Sequence, residues 1–185
     1  MFLLGQTVGK YQILQNLGSG GFGTVFLARD TWIDKKVALK VPHRQNGREE
    51  DMLQESRLLA ALNHPNIVSI LTAERVDGAF FIVMEYVKGE SLEALMDREK
   101  VLDPFRAVEM VVQILKGVEH AHKAQILHRD LRPANVLVSE DGVLKVADFG
   151  TSRILDRTHA NTVIGSPPYM APEQFAGKAQ LPADV

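Results

Sequence analysis

The run from His128 to Gly150 constrains this 185-residue sequence more than any other part of it. His128-Arg129-Asp130-Leu131-Arg132-Pro133-Ala134-Asn135 comes first. An apolar strand candidate follows (Val136-Leu137-Val138), then an acidic-glycine turn (Asp141-Gly142), a second strand (Val143 to Ala147) and Asp148-Phe149-Gly150. Taken alone, an aspartate among polar neighbours could be a turn cap. The spacing to Asn135, however, lets Asp130 hold a hydroxyl while Asn135 binds a metal. Asn135 and Asp148 carry the oxygen donors that Mg2+ prefers.

Ahead of this series the texture is β. Tyr11 to Leu17 and Thr24 to Arg29 read as a hairpin around a glycine-rich turn, and Val37 to Val41 as a third strand closed by Pro42. Glu49 to Leu62 reads as a helix, with acidic residues at its start and Met52, Leu59 and Leu62 at helical spacing. Two further strands are expected at Ile67 to Ala73 and Phe80 to Tyr86, joined by Asp77-Gly78.

Beyond Gly89 the pattern turns helical. Asp103-Pro104 is an N-cap followed by proline at N1, and Phe105, Val108, Val112, Leu115 and Val118 form an apolar stripe behind it. A strand-rich front and a helix-rich back imply two lobes linked near Val87-Lys88-Gly89.

Gly18-Ser19-Gly20-Gly21-Phe22-Gly23-Thr24-Val25 fits G-x-G-x-x-G-x-V, whose glycines let backbone N–H groups approach phosphates. Such glycines also serve as plain tight turns. A dinucleotide-binding reading needs a helix immediately afterwards, and here Thr24-Val25-Phe26 continues as a strand. Lys40 ends an apolar strand, where a lysine is often only a solvated edge. Downstream of a glycine-rich hairpin its ammonium can reach phosphates if a carboxylate fixes it, and Glu55 is the partner expected.

Composition narrows the alternatives. The net charge of −2 gives no strong field for nucleic acid or membrane, and there is no cysteine for a disulfide scaffold or thiolate metal site. Met1-Phe2-Leu3-Leu4 is too short for a signal peptide, and apolar runs such as Phe80 to Met84 are strand-sized. The expected location is the cytoplasm, as a free protein or as the cytoplasmic part of a longer anchored one.

On these motifs the chain resembles a Hanks-type (eukaryotic-like) serine/threonine protein kinase of bacterial appearance, from Tyr11 to the last residue. The resemblance implies an α+β, two-lobed fold: a β-rich N-lobe over about 11–87 with one long helix, and an incomplete helical C-lobe over about 88–185. Residues 1–10 would be an N-terminal extension. It implies ATP and Mg2+ as cofactors and proteins with serine or threonine acceptors as substrates. Asp130 would take the hydroxyl proton, Asn135 and Asp148 would hold Mg2+, and Lys40 with Glu55 would grip the phosphates under Gly18, Ser19, Gly20, Gly21, Phe22, Gly23 and Thr24. Leu17, Val25, Ala38 and Leu137 would enclose the purine, with Met84 as gatekeeper and Glu85 and Val87 offering backbone groups to adenine.

Arg132-Pro133 and Gly165 to Glu173 resemble the serine/threonine branch of the family. Arg132 stands where lysine is usual, and a planar guanidinium is not equivalent to a point charge. Arg129 marks kinases switched by loop phosphorylation, with Thr158 and Thr162 the expected acceptors. In the family a long buried helix opens at Ala183-Asp184-Val185. The chain is therefore expected to leave Val108, Val112 and Leu115 partly uncovered and, alone, to be marginally stable and weakly active. The alternative is an inactive pseudokinase-like nucleotide-binding module; intact Lys40, Asp130, Asn135 and Asp148 weigh against it. A small-molecule phosphotransferase is disfavoured by the Gly165 to Glu173 segment.

Overall fold

Val25-Phe26-Leu27 and Val37-Ala38-Leu39, rich in residues that suit a pleated, half-buried surface, lie at the centre of an antiparallel sheet. The computed structural model describes residues 2–21, 23–43, 56, 59–149, 166–175 and 181–184. They fall into two units, Met1–Ala61 with Ser69–Tyr86 and Leu62–Val68 with Val87–Val185.

The first unit is a sheet of strands β1 (Thr7–Val8), β2 (Tyr11–Gly20), β3 (Gly23–Asp30), β4 (Lys35–Pro42), β5 (Ile70–Val76) and β6 (Ala79–Glu85). Their order is β1-β2-β3-β4-β6-β5. Tyr11, Ile13, Phe26, Ala28, Val37, Leu39, Phe81 and Val83 form its core. Phe2 packs on Phe26 and edge-on to Phe81 at 5.8 and 5.9 Å between ring centres. Burial holds the Tyr11 hydroxyl, which donates to Glu74 at 2.6 Å, far above its ordinary pKa.

Three expectations need correction here. The glycine-rich turn is narrower than read, because Gly18 and Gly20 lie in β2 and Gly23 opens β3. The strand placed at Ile67 to Ala73 begins only at Ile70. Ile67 instead forms an isolated parallel bridge to Val146, and Val68 N–H donates to the Val146 carbonyl at 2.9 Å. An apolar run does not reveal which partner its amides will find. The following strand sits one residue earlier than expected, at Ala79–Glu85. Of the helix expected at Glu49 to Leu62, Ser56, Leu59 and Ala60 are helical, and most of the rest lies outside the described residues.

The second unit holds an antiparallel sheet of β7 (Gly89–Ser91), β8 (Val136–Ser139) and β9 (Leu144–Val146). Helices α1 (Leu92–Glu99), α2 (Pro104–Lys123) and α3 (Pro172–Phe175) accompany it. Ser91 caps α1 by accepting from Ala94 N–H at 3.1 Å. Asp103 caps α2 as expected, accepting from Arg106 N–H at 3.0 Å with Pro104 at N1. The apolar stripe of α2 divides. Val118 is buried together with Met110, Gly117 and Ala121. Phe105, Val108, Val112 and Leu115 are exposed, the first by 82%. The uncovered face expected around Val108, Val112 and Leu115 is therefore present. Among the described residues no helix is long and apolar enough to cross a membrane.

Candidate active site

In the first unit the cross-strand register sorts the site residues onto one face. Val25 pairs with Lys40 and Leu27 with Ala38; Ala38 and Lys40 pair in turn with Met84 and Ile82. Directly opposed residues share a face and neighbours alternate. Val25, Ala38, Lys40 and Met84 therefore stand together, opposite the face of Phe26, Leu39, Phe81 and Val83 that forms the core. Gly18 is the register partner of Val25 and joins this side. Lys40 is only 4% exposed, a burial that a charged ammonium tolerates only when it is paired. Its expected partner Glu55 and the expected phosphate-loop residue Phe22 lie outside the described residues.

Gly23 is fixed by close approach: a Cβ there would stand 2.5 Å from the Val41 carbonyl oxygen. At the far end of the sheet, Glu85 N–H donates to the Ser69 carbonyl at 3.0 Å, and its carboxylate accepts from Ser69 N–H at 2.8 Å. The Glu85 N–H is thus committed within the first unit.

In the second unit the polar cluster is a network with Asp130 at its centre. Its Oδ2 accepts from the Asn135 side-chain amide at 3.0 Å, and its Oδ1 accepts from Ser166 N–H at 3.0 Å. The same amide donates to the Asp130 carbonyl at 2.7 Å. Both N–H bonds of Asn135 are thus committed, and its side-chain oxygen is left as the atom it could offer a cation. Arg132 Nε lies 3.8 Å from Asp130 Oδ2 and is buried without a hydrogen-bond partner among the described residues. A short 3-10 turn at Pro133–Asn135 delivers Asn135 to the start of β8, and Ala147 N–H donates to the Asn135 carbonyl at 2.8 Å. Asp148 follows at once, with φ of 64°. Leu137 lies between the buried Val136 and Val138 on β8 and points to the other face.

His128 sits beneath the cluster, fully buried and edge-on to Phe149 at 4.8 Å between ring centres. Its Nε2–H donates to the Ala147 carbonyl at 2.7 Å, which leaves Nδ1 to accept from Asp130 N–H at 3.2 Å. Burial lowers its pKa, against the opposing pull of the Ala147 carbonyl and the neighbouring carboxylates, so the ring is neutral. Asp184, side chain 1% exposed, accepts from His128 N–H and Arg129 N–H at 2.7 Å each and contacts His122 Nε2 at 2.9 Å. Gln174 donates to the Arg129 carbonyl at 2.8 Å and accepts from Ala171 N–H at 2.9 Å. Arg129 itself has φ of 65°.

The sequence did not single out Ser166, His122 or Gln174. Ser166 acts through its backbone, and the other two act through partners distant in the chain, so no local pattern marks them. Thr158 and Thr162 lie outside the described residues.

The family profile described as "Protein kinase domain" matches residues 11–184. Serine/threonine-protein kinase PrkC of Bacillus subtilis is 38% identical over 183 residues, covering 95% of this chain and 28% of that protein. Serine/threonine-protein kinase pkn3 of Myxococcus xanthus is 39% identical over 191 residues, covering 94% of this chain and 35% of the relative. The carbon catabolite-derepressing protein kinase of Saccharomyces cerevisiae is 37% identical over 186 residues, covering 98% and 29%. The chain thus spans about a third or less of the length of these curated relatives. With the profile running across both units and every polar cluster described above, the chain belongs to the protein kinase domain family.

Proposed function

We propose that this chain transfers the γ-phosphoryl group of Mg·ATP to serine or threonine hydroxyls of proteins. The observation that carries this reading is the fixed carboxylate of Asp130. One oxygen is held by Ser166 N–H and the other by the Asn135 amide, each at 3.0 Å. A carboxylate oriented this way is suited to accept a proton from an alcohol brought beside it. The hydroxyl oxygen forms its bond to the γ-phosphorus and the bond to the β–γ bridging oxygen breaks, its electron pair leaving with ADP. Asp130 takes the hydroxyl proton.

Asn135 and Asp148 would hold Mg2+, which when bound neutralises charge on the phosphates. The committed N–H bonds of Asn135 turn its oxygen to that use. Among the described residues no three His, Cys, Asp or Glu side chains converge. The remaining coordination would come from phosphates and water, as is usual for this ion. Arg132, whose Nε lies 3.8 Å from Asp130 Oδ2, would steady the transferring group. Lys40, with Glu55, would hold the phosphates beneath residues 18–24. Leu17, Val25, Ala38 and Leu137 would enclose the purine beside Met84. The Glu85 carbonyl and the Val87 amide would meet the adenine edge. Serine and threonine are favoured over tyrosine by Arg132-Pro133 and by the names of the relatives. Dependence on ATP favours action in the cytoplasm.

The test is transfer from γ-labelled Mg·ATP to a generic Ser/Thr acceptor such as casein, comparing the chain with Asp130→Asn. A loss of about 10²- to 10⁴-fold is expected in the variant. Equal transfer by both would overturn the assignment.

A further inference from the structure

We propose that His43 is a positioning residue for the glycine-rich turn, tying both strands that flank it to the strand that bears Lys40. The proposal rests on the nucleotide-binding reading above. Ser19 on β2 and Thr24 on β3 are register partners just outside the turn, with hydroxyl oxygens 3.0 Å apart. His43 follows β4 directly, and its Nε2 lies 3.2 Å from Thr24 Oγ1 and 3.4 Å from Ser19 Oγ. One ring nitrogen therefore meets both hydroxyls. With Nε2–H donating, three hydrogens serve the three edges; with Nε2 accepting, the two hydroxyl hydrogens serve two of them, and His43 still joins one hydroxyl directly and the other through it.

The turn needs such a tie. A Cβ built at Gly18, Gly20 or Gly21 would meet no atom of the described residues within 4 Å, so none of them packs against these glycines from that side. Glycine also loses the most backbone freedom on ordering. A nucleotide that orders a loose turn bears that entropy, whereas one that meets a tied turn does not. Thr24 pairs with Val41 and Val25 with Lys40, so the hydroxyl–imidazole contacts fix the turn relative to the Lys40 ammonium. Thr24 is 8% exposed, which shields its part of the triangle from competition by water. His43 touches no reacting atom in this scheme. It lowers the cost of ordering and should act on ATP affinity rather than on the transfer step.

The experiment uses the full chain and four variants: His43→Ala, His43→Gln, Thr24→Val and the double variant His43→Ala/Thr24→Val. Hydrogen exchange without nucleotide should show faster exchange of the amides of residues 18–25 in His43→Ala. Affinity for Mg·ATP and its KM should weaken about 3- to 10-fold, the worth of one or two hydrogen bonds, with kcat changed less. His43→Gln, whose amide can still meet a hydroxyl, should recover part of the loss. The double variant should be no worse than the poorer single one. Unchanged exchange in both His43→Ala and Thr24→Val, or a loss confined to kcat, would overturn the proposal. Failure of the wild-type chain to bind Mg·ATP would overturn the nucleotide reading instead, and the exchange result would then decide the tie by itself.

Discussion

Asp184 gathers two backbone N–H groups and a histidine onto one carboxylate that is almost wholly out of water. Removing it leaves the His128 and Arg129 amides buried without acceptors, and unmade hydrogen bonds of that kind cost more than made ones give. Asp184→Ala should destabilise the chain by about 3 kcal/mol, read as a lower urea midpoint; a change under about 0.5 kcal/mol would contradict the role assigned. Arg129 is clamped from both sides, through its N–H by Asp184 and through its carbonyl by Gln174. Its guanidinium is the group proposed to receive a phosphate from Thr158 or Thr162. Mass spectrometry after incubation with Mg·ATP should find phosphate on one of these threonines, and phosphate elsewhere only would sink the idea.

At the scale of elements, α2 shows what could and could not be read in advance. Its start was legible, since Asp103-Pro104 is a local signal with a local cause. Its buried face was not, because it is made partly of Gly117 and Ala121, which a search for large apolar residues passes over. Gly117 is there for proximity: a Cβ would stand 2.6 Å from the Asn66 carbonyl oxygen. Asn66 in turn donates to the Leu144 carbonyl at 2.8 Å, and Val146 N–H donates to the Asn66 carbonyl at 2.9 Å, so neither side can retreat freely. Gly117→Ala should cost about 1–3 kcal/mol in thermal or urea unfolding despite the better helix propensity of alanine. A stabilised variant would show that the approach is looser than it looks. The strands of the first unit were legible for the same reason as the cap: alternation and glycine punctuation are local. The early start given to β5 failed because the amide of Val68 is satisfied by Val146, which nothing nearby in the sequence announces.

For the molecule as a whole, pH should act through two histidines held neutral. His64 lies below the ordinary range because of burial first, then the stacked His120 ring and Lys116. Its Nδ1 accepts from Asn66 N–H at 3.1 Å and so has no place for a proton. His128 is lowered by burial. The unfolded chain takes up these protons near pH 6.5 and the folded chain refuses them. The histidine contribution is therefore complete above about pH 6.5 and is lost as the pH falls below it. Melting temperature should drop between about pH 6.5 and 5, less so in His64→Gln; a flat profile would refute the assignment.

The division of the chain between its two units has a consequence for how the protein is made. The chain leaves the first unit after Ala61, spends Leu62–Val68 in the second, and returns for Ser69–Tyr86 before leaving again. During synthesis β4 is exposed early, but its neighbour β6 arrives only with Ala79–Glu85. The amide of Val68 waits longer still, until Val146 has been translated. Long-range pairings of this kind close slowly and leave open strand edges meanwhile. A ribosome-bound chain stopped near Ala61 should thus hold an unfinished sheet, sensitive to protease and a natural client for chaperones.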